Sequence, residues 1–270
     1  LEALFGEPVT TSATGSPLRS TQVPVDMTII SADDIKRSGA TDIPTILSRV
    51  AGVDILPFSA GAAEISTRGY NQSRSPRMLV LINGRQVYLD HFGYTDWYTL
   101  PVSLDEIRQI ELVRGPNSAL FGFNAVSGVV NIFLDDRFEG VKGSAQYSQS
   151  EYDDHHKPAA SMAVGKAFGR FHLVAAGDYF KDDGQLAQSS RPSVSTDNQN
   201  EWKNVNPAIL PTQLRNPQSV RMSLDSVVEL TPKIDLRLEG SYSNSSLTEM
   251  LSSYSYVASR VKTASAKATL

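Results

Sequence analysis

Two segments in the first half of the sequence combine aromatic rings with amide, imidazole and guanidinium groups. Aromatic rings can stack on a small molecule, and the polar groups can orient it through hydrogen bonds. The rings, Trp97 and Tyr98 above all, could instead pack beneath the domain, and composition alone leaves both interpretations open. The first segment contains Tyr70, Asn71, Gln72 and Arg74, and the second contains His91, Phe92, Tyr94, Trp97 and Tyr98.

The run Asp153-Asp154-His155-His156 contains side chains that can bind a divalent metal. Adjacent residues of an extended chain point in opposite directions, so a solvated loop explains the run better than a metal site does. Cysteine is absent, which excludes disulfides, thiolate metal sites and cysteine nucleophiles. Neither a nucleophile elbow nor a phosphate-binding glycine loop occurs. We therefore predict a protein that is not an enzyme and that has no metal site and no cofactor.

Charge and hydropathy restrict the possible partners. The formal net charge of −4 provides no basic excess to neutralise phosphates, so a nucleic-acid partner has no electrostatic support. No apolar run approaches the roughly 18 residues of a membrane helix, and a membrane location would therefore require strands. The chain begins without Met or an apolar leader, which indicates a removed signal peptide or an excised piece.

The first half is predicted to alternate short strands with short helices. Ser31 can cap the first helix and Gly39 can end it. The pair Asn83-Gly84 fits a type I′ turn between two strands, and Ser103 can cap a short turn before the last strand. These elements together predict an α+β domain. The expected strands cover 23–30, 53–56, 78–82, 85–89 and 107–113, and the expected helices cover 32–37 and 42–50.

After Phe138 the helix signals disappear, and polar and apolar residues alternate over long segments. Such alternation gives a strand one apolar and one polar face. Segments of about nine to eleven residues also suit a tilted strand in a bilayer, and residues 137–270 have room for about six of them. The clearest segments cover 141–148, 171–179, 220–230 and 234–242.

The connections between these segments alternate in length. The links at 169–170 and 231–233 are tight turns, whereas 182–219 is long and polar, and 150–158 and 243–253 are also polar and are predicted to be loops. Short turns on one rim and long loops on the other are typical of an outer-membrane barrel. On this pattern alone, a soluble antiparallel sheet with one hydrated face is an equal alternative.

Six stretches of the first half resemble, in the family's order, the plug domain of TonB-dependent outer-membrane receptors. They span about residues 23–135 and are followed at once by the barrel-like segments. The stretches are VDMTII (25–30), ILSRVAGV (46–53), ISTRGY (65–70), LVLING (79–84), IRQIELVRGP (107–116) and LFGFNAVSGVVNI (120–132).

This resemblance implies an α+β plug domain followed by antiparallel transmembrane β-barrel strands, part of a barrel of about 22 strands. It divides the chain into an N-terminal segment (1–22), the plug (23–136) and the N-terminal part of the barrel (137–270). Six strands cannot close such a barrel, and an open sheet edge is not tolerated in lipid. We therefore expect the chain to be a fragment of a protein in the outer membrane of a Gram-negative bacterium.

In this family the inner-membrane protein TonB pulls on a short N-terminal segment. A flexible, β-prone segment ahead of a folded domain can add as a strand to a partner, although Pro8 limits pairing on one side. A disordered leader is the alternative interpretation. The candidate TonB-contacting residues are Glu7, Pro8, Val9, Thr10, Thr11, Ser12 and Ala13.

Several residues stand at the family's plug positions, where glycines are expected to permit turns and close packing. The arginines of the domain, which include Arg74, Arg77 and Arg85, either hold the plug in a wet lumen through ion pairs or lie solvated on its surface. The plug-structural residues are Arg68, Gly69, Asn83, Gly84, Arg114, Gly115, Pro116, Gly122, Asn124, Ala125, Gly128 and Asn131.

The family's plug contacts ligand at its outward apices, so the resemblance makes the two aromatic segments, apart from Tyr98, the candidate ligand-binding residues. The leading prediction is energised import of a scarce ligand such as a ferric siderophore or cobalamin. The expected partners are TonB, a small-molecule ligand such as an iron chelate, and outer-membrane lipid. A passive or signalling plug-barrel protein and a soluble α+β interaction module are the alternatives.

Overall fold

The computed structural model describes residues 9–10, 18–59, 62–69, 77–87, 95–149, 156–182, 217–232, 234–252 and 255–270. Within them an N-terminal α+β domain is followed by an antiparallel sheet, which confirms the predicted fold class. The strands of the N-terminal domain are β1 (Val9–Thr10), β2 (Leu18–Arg19), β3 (Met27–Ser31), β4 (Val53–Ser59), β5 (Ala62–Thr67), β6 (Met78–Ile82), β7 (Arg85–Gln86), β8 (Ile107–Arg114) and β9 (Gly128–Leu134).

A five-stranded mixed sheet forms the centre of the N-terminal domain, in the order β3-β8-β9-β6-β7. Strands β6 and β9 are parallel, and the other neighbours are antiparallel. β6 and β9 are nearly continuous apolar runs because both of their faces are covered, whereas the buried part of β8 also contains Gln109 and Glu111. The pairs β1-β2 and β4-β5 form separate ribbons.

Within the described part of the chain, three short α-helices accompany this sheet: α1 (Ala32–Ser38), α2 (Ile43–Leu47) and α3 (Ser118–Phe121). The predicted cap of α1 is confirmed, because Ser31 Oγ accepts the Asp34 N–H at 3.2 Å. Gly39 ends α1 in the left-handed region at φ 63°, which glycine adopts readily. Among the described residues, no helix is both long enough and apolar enough to cross a membrane.

Asn83 and Gly84 form the predicted tight turn between β6 and β7. Their φ angles are 47° and 74°, and a type I′ turn requires positive φ at both central positions. Strand β7 ends at Gln86, and residues 88–94 lie outside the described part of the chain. The turn therefore has the predicted conformation, but the strand is shorter than predicted, because the described Val87 lies beyond it although its N–H still donates to the Val80 carbonyl at 3.0 Å.

The second sheet, called the wall below, contains six strands within the described residues and follows chain order. The turn predicted at 169–170 joins β11 to β12, and at the turn predicted over 231–233 Thr231 of β13 pairs with Ile234 of β14. The predicted loop over 150–158 is shorter, because β11 starts at His156. Residues 150–155, 183–216 and 233 lie outside the described part of the chain. The strands are β10 (Gly140–Gln149), β11 (His156–Phe168), β12 (Phe171–Lys181), β13 (Gln218–Thr231), β14 (Ile234–Ser252) and β15 (Ser255–Thr269).

The prediction of a polar loop over 243–253 is wrong. Strand β14 continues through this stretch to Ser252 and pairs with β15. Ser243 and Ser245 are buried on the face that points toward the N-terminal domain. Small polar residues therefore belong here to the inner face of a long strand, because that face of β14 lies against the N-terminal domain and is polar.

Candidate functional site

The two faces of the wall differ in polarity in the opposite sense to a soluble sheet. Side chains that face the N-terminal domain include buried serines and aspartates beside Ala163, Val174 and Val227, whereas most outward side chains are apolar and many of them are exposed. An apolar outer face with a polar inner face is the arrangement of transmembrane barrel strands. The exposed, outward apolar residues are Val141, Tyr147, Met162, Val164, Phe168, Tyr179, Met222, Leu224, Leu230, Ile234, Leu238 and Tyr242.

The Asn83-Gly84 turn docks on two neighbouring wall strands. Asn83 Nδ2 donates to Glu239 Oε1 of β14 at 3.0 Å, and Lys267 Nζ of β15 donates to the Asn83 carbonyl at 3.0 Å. Glu239 and Lys267 are direct cross-strand partners. The Asn83-Gly84 turn, which belongs to the stretch LVLING, is thus held by the neighbouring carboxylate of Glu239 and ammonium group of Lys267.

The turn 103–106 makes a second contact with the wall. Ser161 Oγ of β11 donates to the Asp105 carboxylate, and Ser223 Oγ of β13 donates to the Glu106 carboxylate. Glu106 also accepts the Ser103 N–H at 2.6 Å. Burial raises the pKa of Glu106 to about 7, against the lowering effect of these hydrogen bonds. The N-terminal domain therefore meets the wall through polar groups at this turn as well.

Hydroxyl groups pair with each other across the inner face of the wall. Such pairs satisfy part of the hydrogen bonding of these hydroxyl groups within the wall itself. Ser243 also donates to the Thr99 carbonyl at 3.0 Å. The pairs are Ser144 with Ser161 at 2.6 Å, Ser219 with Ser245 at 2.8 Å, Ser241 with Ser265 at 2.6 Å, and Ser243 with Thr263 at 2.7 Å.

The connection from β9 to β10 is fastened to the wall by ion pairs. Arg137 binds Glu229 at 2.7 Å and Asp235 at 2.5 Å, while Arg237 binds Asp136 at 2.8 Å. All of these groups are partly exposed or lie at the rim, so each pair contributes modestly. Their combined effect is to fix where the chain passes from the domain into the wall.

A cavity of about 560 Å³ separates α1 from the first three wall strands. Its lining includes Asp33 and Lys36 of α1 and Lys142, Asp178 and Arg221 of the wall. Asp178 and Arg221 bond to each other at 2.6 to 3.0 Å. A space of this size, lined by both charged and apolar side chains, can hold water or a small polar molecule.

Most of the candidate ligand-binding residues, namely Tyr70, Asn71, Gln72, Arg74, His91, Phe92 and Tyr94, lie outside the described residues. Trp97 is the described member, and it is only 4% exposed within the main core of the domain. Tyr98 packs against the same core. This placement supports the packing alternative for Trp97, since its ring is not presented to solvent.

The described part of the candidate TonB segment is folded back on the domain. Val9 and Thr10 pair with Arg19 and Leu18 in the β1-β2 ribbon, while Glu7, Pro8, Thr11, Ser12 and Ala13 lie outside the described residues. Thr10 Oγ1 donates to buried Glu111 Oε2 at 2.6 Å, and Gln109 Nε2 donates to the Val9 carbonyl at 3.1 Å. The segment is therefore attached to β8.

Arg114 lies at the centre of a group of the predicted plug-structural residues. Its guanidinium donates to both Asp26 carboxylate oxygens, at 2.6 and 3.0 Å, and to the Ala51 carbonyl at 3.0 Å. These hydrogen bonds hold the pKa of Asp26 below its usual value. Gly115 has φ 91°, and the Arg68 guanidinium lies against it. Both arginines thus act within the domain.

The remaining plug-structural residues surround two turns. Gly84 N–H donates to Asn131 Oδ1 at 3.3 Å beside the docked Asn83. Around α3, the Ala125 N–H donates to the Gly122 carbonyl at 3.2 Å. Gly69 N–H donates to Asp54 at 3.0 Å. Ala125 is fully buried, Asn124 is half-buried and Pro116 is exposed.

Sequence reasoning missed the residues that join the two parts of the chain: Asp105, Glu106, Ser161, Ser223, Glu239, Ser243 and Lys267. One local signal was present, because Ser103 and Glu106 have the spacing of a capping box. The recurrent serines on one face of the wall segments were a second signal. Within the described residues, no group of three His, Asp or Glu side chains could hold a metal.

A small α+β domain docked on the polar inner face of strands with an apolar outer face defines the class of plugged β-barrels. The family model of the TonB-dependent receptor plug domain matches residues 19–129. This segment therefore belongs to the TonB-dependent receptor plug family, and the chain has the fold of TonB-dependent receptors. The N-terminal domain is called the plug below.

Solved structures agree with this fold. The ferripyoverdine receptor of Pseudomonas aeruginosa has a TM-score of 0.63 at 11% identity, over 89% of this chain and 28% of that chain. A variant of the ferric enterobactin receptor PfeA from Pseudomonas aeruginosa has a TM-score of 0.62 at 21% identity, over 84% of this chain and 33% of that chain. The siderophore receptor PirA of the same organism has a TM-score of 0.58 at 21% identity, over 84% of this chain and 35% of that chain. The chain thus spans about a third of the length of these receptors.

Proposed function

We propose that this chain forms the plug and the first wall strands of an outer-membrane transporter that imports a ferric siderophore with energy delivered through TonB. The observation that carries this proposal is the inverted polarity of the wall, with the plug docked on its polar face. An apolar exterior suits lipid, and a polar interior suits a plug that is held yet can be displaced.

The proposed ligand class comes from the solved receptors. One of them is bound to ferripyoverdine, and others are described as ferric enterobactin and siderophore receptors. The candidate contact residues in this chain are those at 70–74 and 91–94, whose rings and amide groups suit a flat chelate with polar edges. Trp97 has a packing role in this proposal.

The proposed partner on the inner side is TonB, which would pair with residues 7–13 by strand addition. Val9 and Thr10 already use their main chain in the β1-β2 ribbon. Within the described residues no strand pairs with the other edge of β1, so a partner strand could add there while β1 stays in the ribbon. Pulling on a segment attached to β8 would then transmit force directly to the central sheet of the plug.

Uptake of iron-55 bound to a siderophore, by cells that carry the complete receptor as their sole receptor for that chelate, tests this function. Deletion of residues 7–13 is expected to abolish uptake and to leave chelate binding at the cell surface unchanged. Deletion of residues 1–6, which precede the segment, is the matched control and should leave both unchanged. Uptake that survived loss of 7–13 would contradict energised import and favour a passive plug-barrel protein.

A further inference from the structure

We propose that Glu106 is a proton-sensitive latch between plug and wall, which holds the plug while its carboxyl carries a proton and loosens the plug when that proton leaves. The latch rests on the proposed function in one respect, since it needs the wall to enclose the plug. It adds a response to pH that TonB-driven import does not require.

Glu106 is fixed from several sides at the contact between plug and wall. Its side chain is 3% exposed, and its two carboxylate oxygens accept from the Ser103 N–H and from Ser223 Oγ of β13. Its backbone carbonyl accepts the Asp135 N–H at 2.8 Å. The carboxyl is therefore almost fully shielded from solvent while the plug is docked on β13.

No cation compensates Glu106 directly, because within the described residues it forms no ion pair. Of the wall strands that contact this turn, β10 provides Lys142, which pairs with Asp135 at 3.3 Å, and β11 provides Ser161. Strands β12 and β13 add acids to the same seam. Strand β13 provides Asp225 two positions beyond Ser223, 3% exposed and directly opposite Glu239 of β14 in the register. Strand β12 provides Asp178, which forms an ion pair with Arg221 at 2.6 Å.

The remaining charged groups of the seam are mostly engaged with one another. Asp105, on the same turn, is bonded by Ser161, and Asp136 is paired with Arg237. Arg85 and Lys267 line a small cavity together with Asp225 and Glu239. Arg221 acts on Glu106 through its charge alone, and the groups that bond to the Glu106 carboxyl are neutral donors.

An uncompensated carboxylate is costly to bury, whereas a neutral carboxyl can both accept and donate hydrogen bonds. Docking is therefore strongest while Glu106 is protonated. The docked carboxyl has a pKa of about 7, above the usual 4.5, so docking is fully present below pH 4.5 and weakens as pH rises through about 7. The full change corresponds to a loss of up to about 300-fold in the docking equilibrium.

The test uses the complete receptor, otherwise free of cysteine, in lipid nanodiscs with Ala163→Cys as a reporter. Ala163 is 1% exposed on the inner face of β11, the strand that contacts the turn 103–106. The rate of maleimide labelling is measured from pH 5 to pH 8 with Glu106 and with Glu106→Gln. The rate with Glu106 is divided by the rate with Glu106→Gln, which cancels the pH dependence of the thiol itself. This ratio is expected to rise at least about tenfold from pH 5 to pH 8.

Controls and outcomes separate the latch from the fold. Glu139→Gln, at an exposed glutamate, should leave the labelling rate unchanged at every pH. If the glutamine variant fails to assemble, both cysteine variants are labelled with Glu106 intact. The labelling rate of Ala163→Cys divided by that of the exposed Arg170→Cys should then rise from pH 5 to pH 8. Slow labelling with a constant ratio would overturn the latch and leave the docked plug in place. Fast labelling at pH 5 in both backgrounds would overturn both the latch and the enclosed plug.

Discussion

Gly128 has no room for a side chain. A Cβ there would lie 2.7 Å from the carbonyl oxygen of Val113, and that oxygen belongs to the neighbouring strand β8. We expect Gly128→Ala to separate β8 from β9 and to lower the free energy of unfolding of the plug by roughly 1–3 kcal/mol. Hydrogen exchange of the β8 and β9 amides measures this loss. Gly240→Ala is the control, because its Cβ would come no closer than 3.7 Å to a neighbour; equal exchange in both variants would contradict the prediction.

Arg114 illustrates how far a motif can be interpreted. The sequence left open whether the arginines hold the plug in the lumen or lie solvated. In the structure Arg114 joins Asp26 and Ala51 inside the plug, across 88 and 63 positions of the chain. Partners so distant in sequence cannot be predicted from the residues around Arg114. The motif therefore indicated a structural role for this arginine but could not show which groups it binds.

The β1-β2 ribbon depends on one buried carboxylate. Glu111 is fully buried and accepts from Thr10 at 2.6 Å and from Gln109 at 2.6 Å. Thr10→Val keeps the shape of the side chain but removes one donor, and we expect it to weaken docking of the ribbon by about 1–3 kcal/mol. Faster hydrogen exchange at residues 9–10 and 18–19 would report the release. Thr41→Val, at an exposed threonine, is the control, and unchanged exchange in Thr10→Val would refute the role of this bond.

Elements that depend on neighbouring residues were predictable. Ser31 caps α1, Asn83 and Gly84 form the type I′ turn, and tight turns join the wall strands as expected. The stretch 243–253 was misinterpreted because small polar residues are typical both of loops and of a strand that faces a wet lumen. Only the position of the plug distinguishes these two cases, and the hydrogen bond from Ser243 to Thr99 spans 144 positions.

The position of the plug explains why the two faces of the wall differ in polarity. The wall exposes Met222 and Leu224 outward while Ser223 and Asp225 on the same strand are buried toward the plug. The alternation itself was visible in the sequence, but it fitted a soluble sheet equally well. The sequence alone does not show on which side of the wall the plug lies. That side decides which face of the wall meets lipid.

The most direct test of this account places a charge on the outer face of the wall. Leu224→Arg in the complete receptor should deplete the folded receptor from the outer-membrane fraction of Gram-negative cells, because arginine near the bilayer midplane costs about 2–4 kcal/mol. Gln146→Arg, on the inner face beside the cavity, should leave that amount unchanged. If Leu224→Arg accumulated like the unmodified receptor, or stayed folded in buffer without detergent, the wall would not face lipid and the account would be wrong.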